Sequence, residues 1–325
     1  MTITDSLSRQ VKIPYKINRL LSLEPEITRI VASLDAEEKL VGLDYFMQHH
    51  DHLFHLISSR YSLLPVVSAA SDAVNLEAVM QLKPQVIFVS PSESHLPQNL
   101  QDKTGIPVVA LSSMGRFTNL LREIKLAGKI LNREERAEEL VTFFKEKVAF
   151  IKQKIARHKD INKPRIYLAF WSSLNRTPVY YEPVNLAGGI NIAEGLMPQY
   201  FGSPGATVEV EKIIQWDPDI ILVHGNYPPS QRTITVAEIL QDSRLRSVKA
   251  IRERKVFYTF GYWYWWDPAQ VLLETYYLAK LFYPEIFSNL NLTQEGNAIY
   301  EKFYGLKSGF SSLCRILCCD EWLNE

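Results

Sequence analysis

One arrangement of apolar and polar positions occurs twice in this chain. Leu76-Glu77-Ala78-Val79-Met80-Gln81-Leu82-Lys83-Pro84-Gln85-Val86-Ile87-Phe88-Val89 is echoed by Val210-Glu211-Lys212-Ile213-Ile214-Gln215-Trp216-Asp217-Pro218-Asp219-Ile220-Ile221-Leu222-Val223, each residue standing 134 positions after its counterpart. In both copies the apolar residues first fall at helical spacing: Leu76, Val79 and Met80 in one, Val210, Ile213 and Ile214 in the other. A proline then ends the helix and an unbroken apolar run follows. A continuous apolar run reads as a strand buried on both faces, as in the parallel sheets of α/β proteins. Two such units far apart predict an α/β chain of two similar lobes, each with a mainly parallel central sheet.

The same reading places the other elements. Arg19-Leu20-Leu21-Ser22-Leu23 is predicted as the first strand after a polar lead-in, and Glu24-Pro25-Glu26 opens a helix with Ile27, Ile30, Val31 and Leu34 on one face. Leu40 to Leu43 and Ile106 to Leu111 read as strands, whereas residues 45–65 carry aromatics and histidines with no regular period. From Arg116 the pattern is helical. Asn132 with Glu135 resembles a capping box that starts a second run, about 37 Å long at 1.5 Å per residue, enough to join two lobes rigidly. Arg165 to Phe170 and Lys255 to Phe260 are strands of the second lobe, and Asp267-Pro268 opens its last helix. The expected organisation is an N-terminal lobe over 1–115, a connecting helical segment over 116–162, a C-terminal lobe over 163–290, and a C-terminal helix and tail over 291–325.

Thirty-six basic residues balance thirty-six acidic ones over 325 positions, so no overall field favours nucleic acid. No apolar run is long enough to span a membrane. The N-terminus shows no basic segment followed by an apolar core, so an export signal is not visible in this chain. Cys314, Cys318 and Cys319 all lie in the last dozen residues, at a spacing that fits no zinc pattern, and the tail around them reads as an extension without a fold of its own.

Taken together, several stretches resemble the bilobal substrate-binding proteins of ATP-driven importers for iron-siderophore complexes, haem and cobalamin. They are Thr4 to Pro14, Asn18 to Leu23, Lys39 to Gly42, Leu82 to Ile87 and Tyr283 to Phe287. The resemblance spans about residues 2–290 and does not include the tail from Lys307. It implies two lobes joined by a long rigid helix with a ligand cleft between them, a small-molecule ligand in the form of a metal chelate, an ABC permease as partner, and no cofactor or catalytic group. It also implies a monomer peripheral to the membrane, periplasmic or extracellular and lipid-anchored, whose leader precedes the mature start.

Parallel sheets bind ligands outside the carboxyl ends of their strands. Loops at such places supply the ligand-binding candidates Tyr45, Phe46, Ser90, Trp171, Arg176, His224 and Tyr227, with Tyr180, Tyr181 and Asn191 as weaker ones. The most informative loop is Gly261-Tyr262-Trp263-Tyr264-Trp265-Trp266. Successive side chains of an extended segment point opposite ways, so some of Tyr262, Trp263, Tyr264 and Trp265 must be exposed, and a planar chelate would stack on them. Arg176 would instead suit a carboxylate or an oxyanion such as molybdate. His49, His50, His52 and His55 with Asp51 invite a metal, but adjacent histidines seldom point at one ion. Glu77 and Glu211 occupy the same place in the two repeats. A carboxylate there is favoured by the helix dipole, and in the resembling family such glutamates meet arginines of the permease.

Two other readings stay open on the residues alone: a metal-dependent enzyme on this scaffold, and a cytosolic sensor. No Gly-x-Ser-x-Gly, phosphate-binding glycine loop or His-Glu-x-x-His is present to support catalysis.

Overall fold

A computed structural model of the protein describes residues 1–68, 74–90, 95–111, 116–158, 161–199, 205–225, 232–260 and 267–319. The chain divides into two compact units. Unit 1 comprises Met1–Phe143, Tyr264–Pro268 and Tyr300–Gly309; unit 2 comprises Phe144–Trp263, Ala269–Ile299 and Phe310–Glu325.

Unit 1 opens with an antiparallel hairpin, β1 (Thr2–Thr4) and β2 (Gln10–Lys12). The polar lead-in expected here is thus a hairpin, each of whose strands has only one inward apolar residue, Ile3 or Val11. Asp5 makes the turn: its carboxylate accepts from the backbone amides of Leu7 at 3.0 Å and Arg9 at 2.9 Å, and pairs with the Arg9 guanidinium at 2.7 Å.

The unit continues through β3 (Leu20–Ser22), α1 (Pro25–Ser33), β4 (Leu40–Asp44), α2 (Tyr45–His49), α3 (His52–Ile57), β5 (Val66–Ser68), α4 (Leu76–Leu82), β6 (Val86–Val89), α5 (Leu96–Thr104), β7 (Val108–Ala110), α6 (Phe117–Leu131) and the start of α7 (Glu134–Ala156). Its sheet is parallel in the order β5-β4-β3-β6-β7. Helix α1 is buried on every face, beyond the single stripe expected, and so carries the charged pair Arg29 to Asp51 inside, at 2.7 Å.

Asn132 does not start α7. It ends α6 in the left-handed region, φ +58°, and the Arg133 amide turns back to the Gly128 carbonyl at 2.7 Å. An N-cap needs extended backbone, so the asparagine serves as a left-handed C-cap instead.

Unit 2 holds β8 (Arg165–Ala169), β9 (Arg176–Pro178), α8 (Glu182–Leu186), β10 (Ile190–Asn191), β11 (Gly205–Thr207), α9 (Val210–Trp216), β12 (Ile220–His224), α10 (Val236–Gln241), α11 (Lys249–Arg252), β13 (Val256–Thr259), most of α12 (Pro268–Phe282) and of α13 (Leu292–Tyr304), and α14 (Gly309–Leu317). Its parallel sheet runs β10-β8-β12-β13, with β9 and β11 paired antiparallel beside it. The tail is thus folded: α14 buries Phe310, Leu313, Cys314 and Leu317. Its apolar face, Phe310, Leu313, Cys314 and Leu317 at helical spacing, is what the sequence reading passed over.

The repeat is structural as well as textual. α4 and α9 both end on a left-handed residue, Lys83 at φ +47° and Asp217 at +44°, before the proline. The Gln85 amide then donates to the Arg19 carbonyl at 2.8 Å, and the Asp219 amide to the Arg165 carbonyl at 2.9 Å. Each arginine reaches back to the end of its repeat helix, Arg19 to the Leu82 carbonyl at 3.1 Å and Arg165 to that of Trp216 at 2.9 Å. Val79, Ile87 and Val89 in the core of unit 1 correspond to Ile213, Ile221 and Val223 in that of unit 2. What this frame positions is the carboxyl edge of each sheet.

Candidate ligand-binding site

In unit 2 the carboxyl edge is organised on Phe170. β8 leaves the sheet through Trp171 and Ser172, both left-handed at φ +49° and +61°, and returns as β9 with the Phe170 amide bonded to the Arg176 carbonyl at 2.8 Å. Consecutive non-glycine residues in this region are costly and persist where packing fixes them, a pattern common at ligand clamps. Here the packing is aromatic. The Phe170 ring stacks on His224 at the end of β12, with centroids 4.6 Å apart, and meets Tyr181 and Trp171 edge-on at 5.2 and 5.9 Å. The Arg176 guanidinium lies 5.5 Å from the centre of the Trp171 ring, a cation–π arrangement that holds it at the edge.

Beside this cluster, α12 buries Glu274. Its carboxylate accepts from the Thr259 hydroxyl and from the Phe260 amide at 3.0 Å, at the end of β13, and the Tyr181 hydroxyl lies against the same group. Burial pushes the Glu274 carboxyl up to about 7, against the pull of those donors, so it titrates near neutrality. Glu274 thereby ties together the ends of β13 and of the segment before α8.

In unit 1 three neighbouring strands end on buried polar groups: Glu24 after β3, Asp44 closing β4 and Ser68 closing β5. Asp44 and Ser68 are register partners, so their side chains leave the sheet on one face. Glu24 Oε1, Asp44 Oδ2 and Ser68 Oγ have no hydrogen-bond partner among the described residues. Burial, then Glu26 and Asp44, holds the Glu24 carboxyl well above the usual range; burial raises Asp44 to about 6, although the amides of Met47 and Phe46 oppose it. Ser90 directly follows β6, the neighbour of β3 in the sheet, and is buried as well.

Tyr45 and Phe46 begin α2, whose N-cap is Asp44. Tyr45 is exposed and stacks on His49 at 4.1 Å, while Phe46 is half-buried against it. The histidines of this segment do not converge. His49 Nδ1 faces the Tyr45 carbonyl at 3.0 Å, His55 Nε2 faces that of Gln48 at 2.7 Å, and Asp51 is taken by Arg29. Among the described residues no group of three His, Cys, Asp or Glu could hold a metal ion, and no helix is long and apolar enough to cross a membrane.

The structure thus brings Trp171, Arg176 and His224 together in unit 2, and Tyr45, Phe46 and Ser90 onto the corresponding edge of unit 1. Tyr227, Tyr262, Trp263, Tyr264 and Trp265 lie outside the described residues. Glu77 and Glu211 are exposed in the first turns of α4 and α9. Sequence reasoning passed over Glu274 and Glu24; the available signal for Glu274 was a lone acid in the apolar run Val271-Leu272-Leu273-Glu274. A surface pocket lined by Arg165, Ile190, Asn191, Ile192, Glu194 and Trp216 sits at the amino ends of β8 and β10, the edge opposite to these groups.

Parallel sheets with polar and aromatic groups gathered at their carboxyl edges, repeated in two units of one chain, define the class of α/β binding proteins. The sequence pattern of the periplasmic binding protein family matches residues 20–261, and the chain belongs to that family. Molybdate-binding protein MolA of Haemophilus influenzae is 27% identical over 93% of this chain and 90% of its own length. The structure of MolA bound to molybdate superposes with a TM-score of 0.77 at 24% identity, covering 94% of this chain and 98% of that one. A periplasmic solute-binding protein of Veillonella parvula gives 0.75 at 24% identity over 99% of each chain. CeuE of Helicobacter pylori, solved with Ni(II), gives 0.75 at 16% identity over 94% of this chain and 96% of that one. The chain is an ABC-type substrate-binding protein, and such relatives are transport proteins, not enzymes.

Proposed function

We propose that this protein works outside the cytoplasm as the receptor of an ATP-driven importer and that its cargo is a small oxyanion of the molybdate class. The observation that carries the cargo is Arg176, held at the carboxyl edge of unit 2 by the Trp171 ring. A guanidinium offers a planar fork of donors that matches an oxyanion, and it stays charged at any working pH. At that edge Phe170, Tyr181 and His224 are turned into one another and are at most 2% exposed, which leaves the half-buried Trp171 as the one ring partly open among the described residues of the cluster. A bulky planar chelate would need a broad open face there. The overall similarity to a molybdate-binding relative supports the same reading.

A metal chelate is the second reading, and the aromatic run 261–266 favours it. Glu77 and Glu211 are assigned to the permease: both are exposed acids at equivalent helix starts, and they would orient the docked protein more than they bind it, at about 0.2–1 kcal/mol for each exposed pair. Titrating tryptophan fluorescence with molybdate, tungstate, a ferric catecholate and haem separates the readings. Saturable response to the tetrahedral oxyanions alone supports the proposal; response to the catecholate or haem alone transfers the assignment to a chelate.

A further inference from the structure

We propose that Cys314 and Cys319 form a disulfide site that closes the C-terminal turn of the chain. α14 ends with Cys318 in the left-handed region, φ +52°, and the Cys319 amide donates to the Cys314 carbonyl at 2.9 Å. This six-residue turn is one in which the side chains three positions before the end and two after it meet. In this chain both of those positions are cysteines, and both are buried, at 3% and 0% exposure. Both are free thiols in this structure; a disulfide requires Cα atoms within about 4.4–6.8 Å and side chains directed at each other, and the side-chain contact that accompanies this turn pairs these two positions. Cys318 is placed differently: it is half-buried, with its sulfur turned toward the Arg315 carbonyl.

The turn is also a point of attachment. Arg232 donates to the Leu317 carbonyl at 2.7 Å while lying 4.7 Å from the centre of the Tyr258 ring, and Phe310 packs edge-on against Phe260 at 5.7 Å. A bridge between Cys314 and Cys319 fixes the carbonyl that Arg232 grips. In the reaction the two thiols lose two protons and two electrons as the S–S bond forms, and a small-molecule disulfide takes them up and is cleaved to two thiols. Local opening of this turn gives the oxidant access to the buried sulfurs.

The test treats the full chain with oxidised glutathione under native conditions, then unfolds and alkylates it without reductant. Trypsin cuts after Arg315, so a bridge links the peptide carrying Cys314 to the one carrying Cys318 and Cys319. The expected result is a linked pair lighter by two hydrogens, with one alkylated thiol per chain. The link persists in Cys318→Ser and is lost in Cys314→Ser and in Cys319→Ser. Three alkylated thiols, glutathione adducts without a link, or a link that survives Cys319→Ser would overturn the proposal.

Discussion

Replacing Glu274 with glutamine tests the buried carboxyl at the edge of unit 2 in a way that distinguishes charge from packing. In the folded protein this group titrates at about 7, against an ordinary value of 4.5. That displacement corresponds to about 3 kcal/mol at 1.36 kcal/mol per pH unit. The sign follows from which state holds the proton. Between pH 4.5 and about 7 the folded chain keeps it and the unfolded chain releases it, so the stabilisation is complete below 4.5 and is lost as pH rises through 7. Glutamine has the same shape and never ionises; its single oxygen can accept from the Phe260 amide, and its NH2 group, on the Thr259 side, donates to that hydroxyl as a protonated carboxyl does. Glu274→Gln is therefore expected to match the parent within about 1 kcal/mol at pH 4.5 and to be more stable at pH 8 by up to about 3 kcal/mol. Asp44, raised to about 6, titrates in both proteins and cancels from the difference. Urea unfolding of the two proteins across this pH range is the assay. A gap that does not change with pH, or a variant less stable than the parent at pH 8, would refute the assignment of a raised carboxyl to this site.

Three other outcomes follow from the same structure. Arg29 is buried against Asp51, and although burial works against its charge, Asp51 and Asp267 hold the guanidinium above its ordinary value; Arg29→Met leaves the buried Asp51 with the Phe54 amide but without this ion-pair partner and should cost about 3–5 kcal/mol in urea unfolding. Gly128 lets α6 approach α7, since a Cβ there would lie 2.5 Å from that of Ala137 and 3.1 Å from the Arg133 carbonyl, so Gly128→Ala should lower stability by about 1–3 kcal/mol by thermal unfolding. The double change Glu77→Ala with Glu211→Ala should abolish uptake in a reconstituted importer while leaving the dissociation constant of the cargo unchanged; a weakened constant would remove the docking assignment.

Much of the frame was legible in the sequence because it depends on long buried runs. Val86 to Val89 and Ile220 to His224 are buried at every position, so their composition alone identified them as central parallel strands. The hairpin of β1 and β2 was not legible, since a three-residue strand with one inward side chain has no measurable period. Asn132 was misassigned because a helix start and a left-handed helix end draw on the same residue type. Trp171, Arg176 and His224 stand out in the sequence by their position after predicted strands, and the structure groups them around Phe170. Glu274 does not, because what distinguishes it is its burial and the two donors that meet it at the end of β13, Thr259 and Phe260.

If the cargo is an oxyanion held by Arg176, as proposed, removing the guanidinium must weaken it. The measurement is isothermal titration of molybdate into the parent protein and into Arg176→Ala, with circular dichroism confirming that the variant is folded. Saturable binding by the parent, weakened at least about tenfold, or 1.4 kcal/mol, in the variant, is the expected result. Equal affinity in the two proteins, or no molybdate binding by the parent, would contradict it.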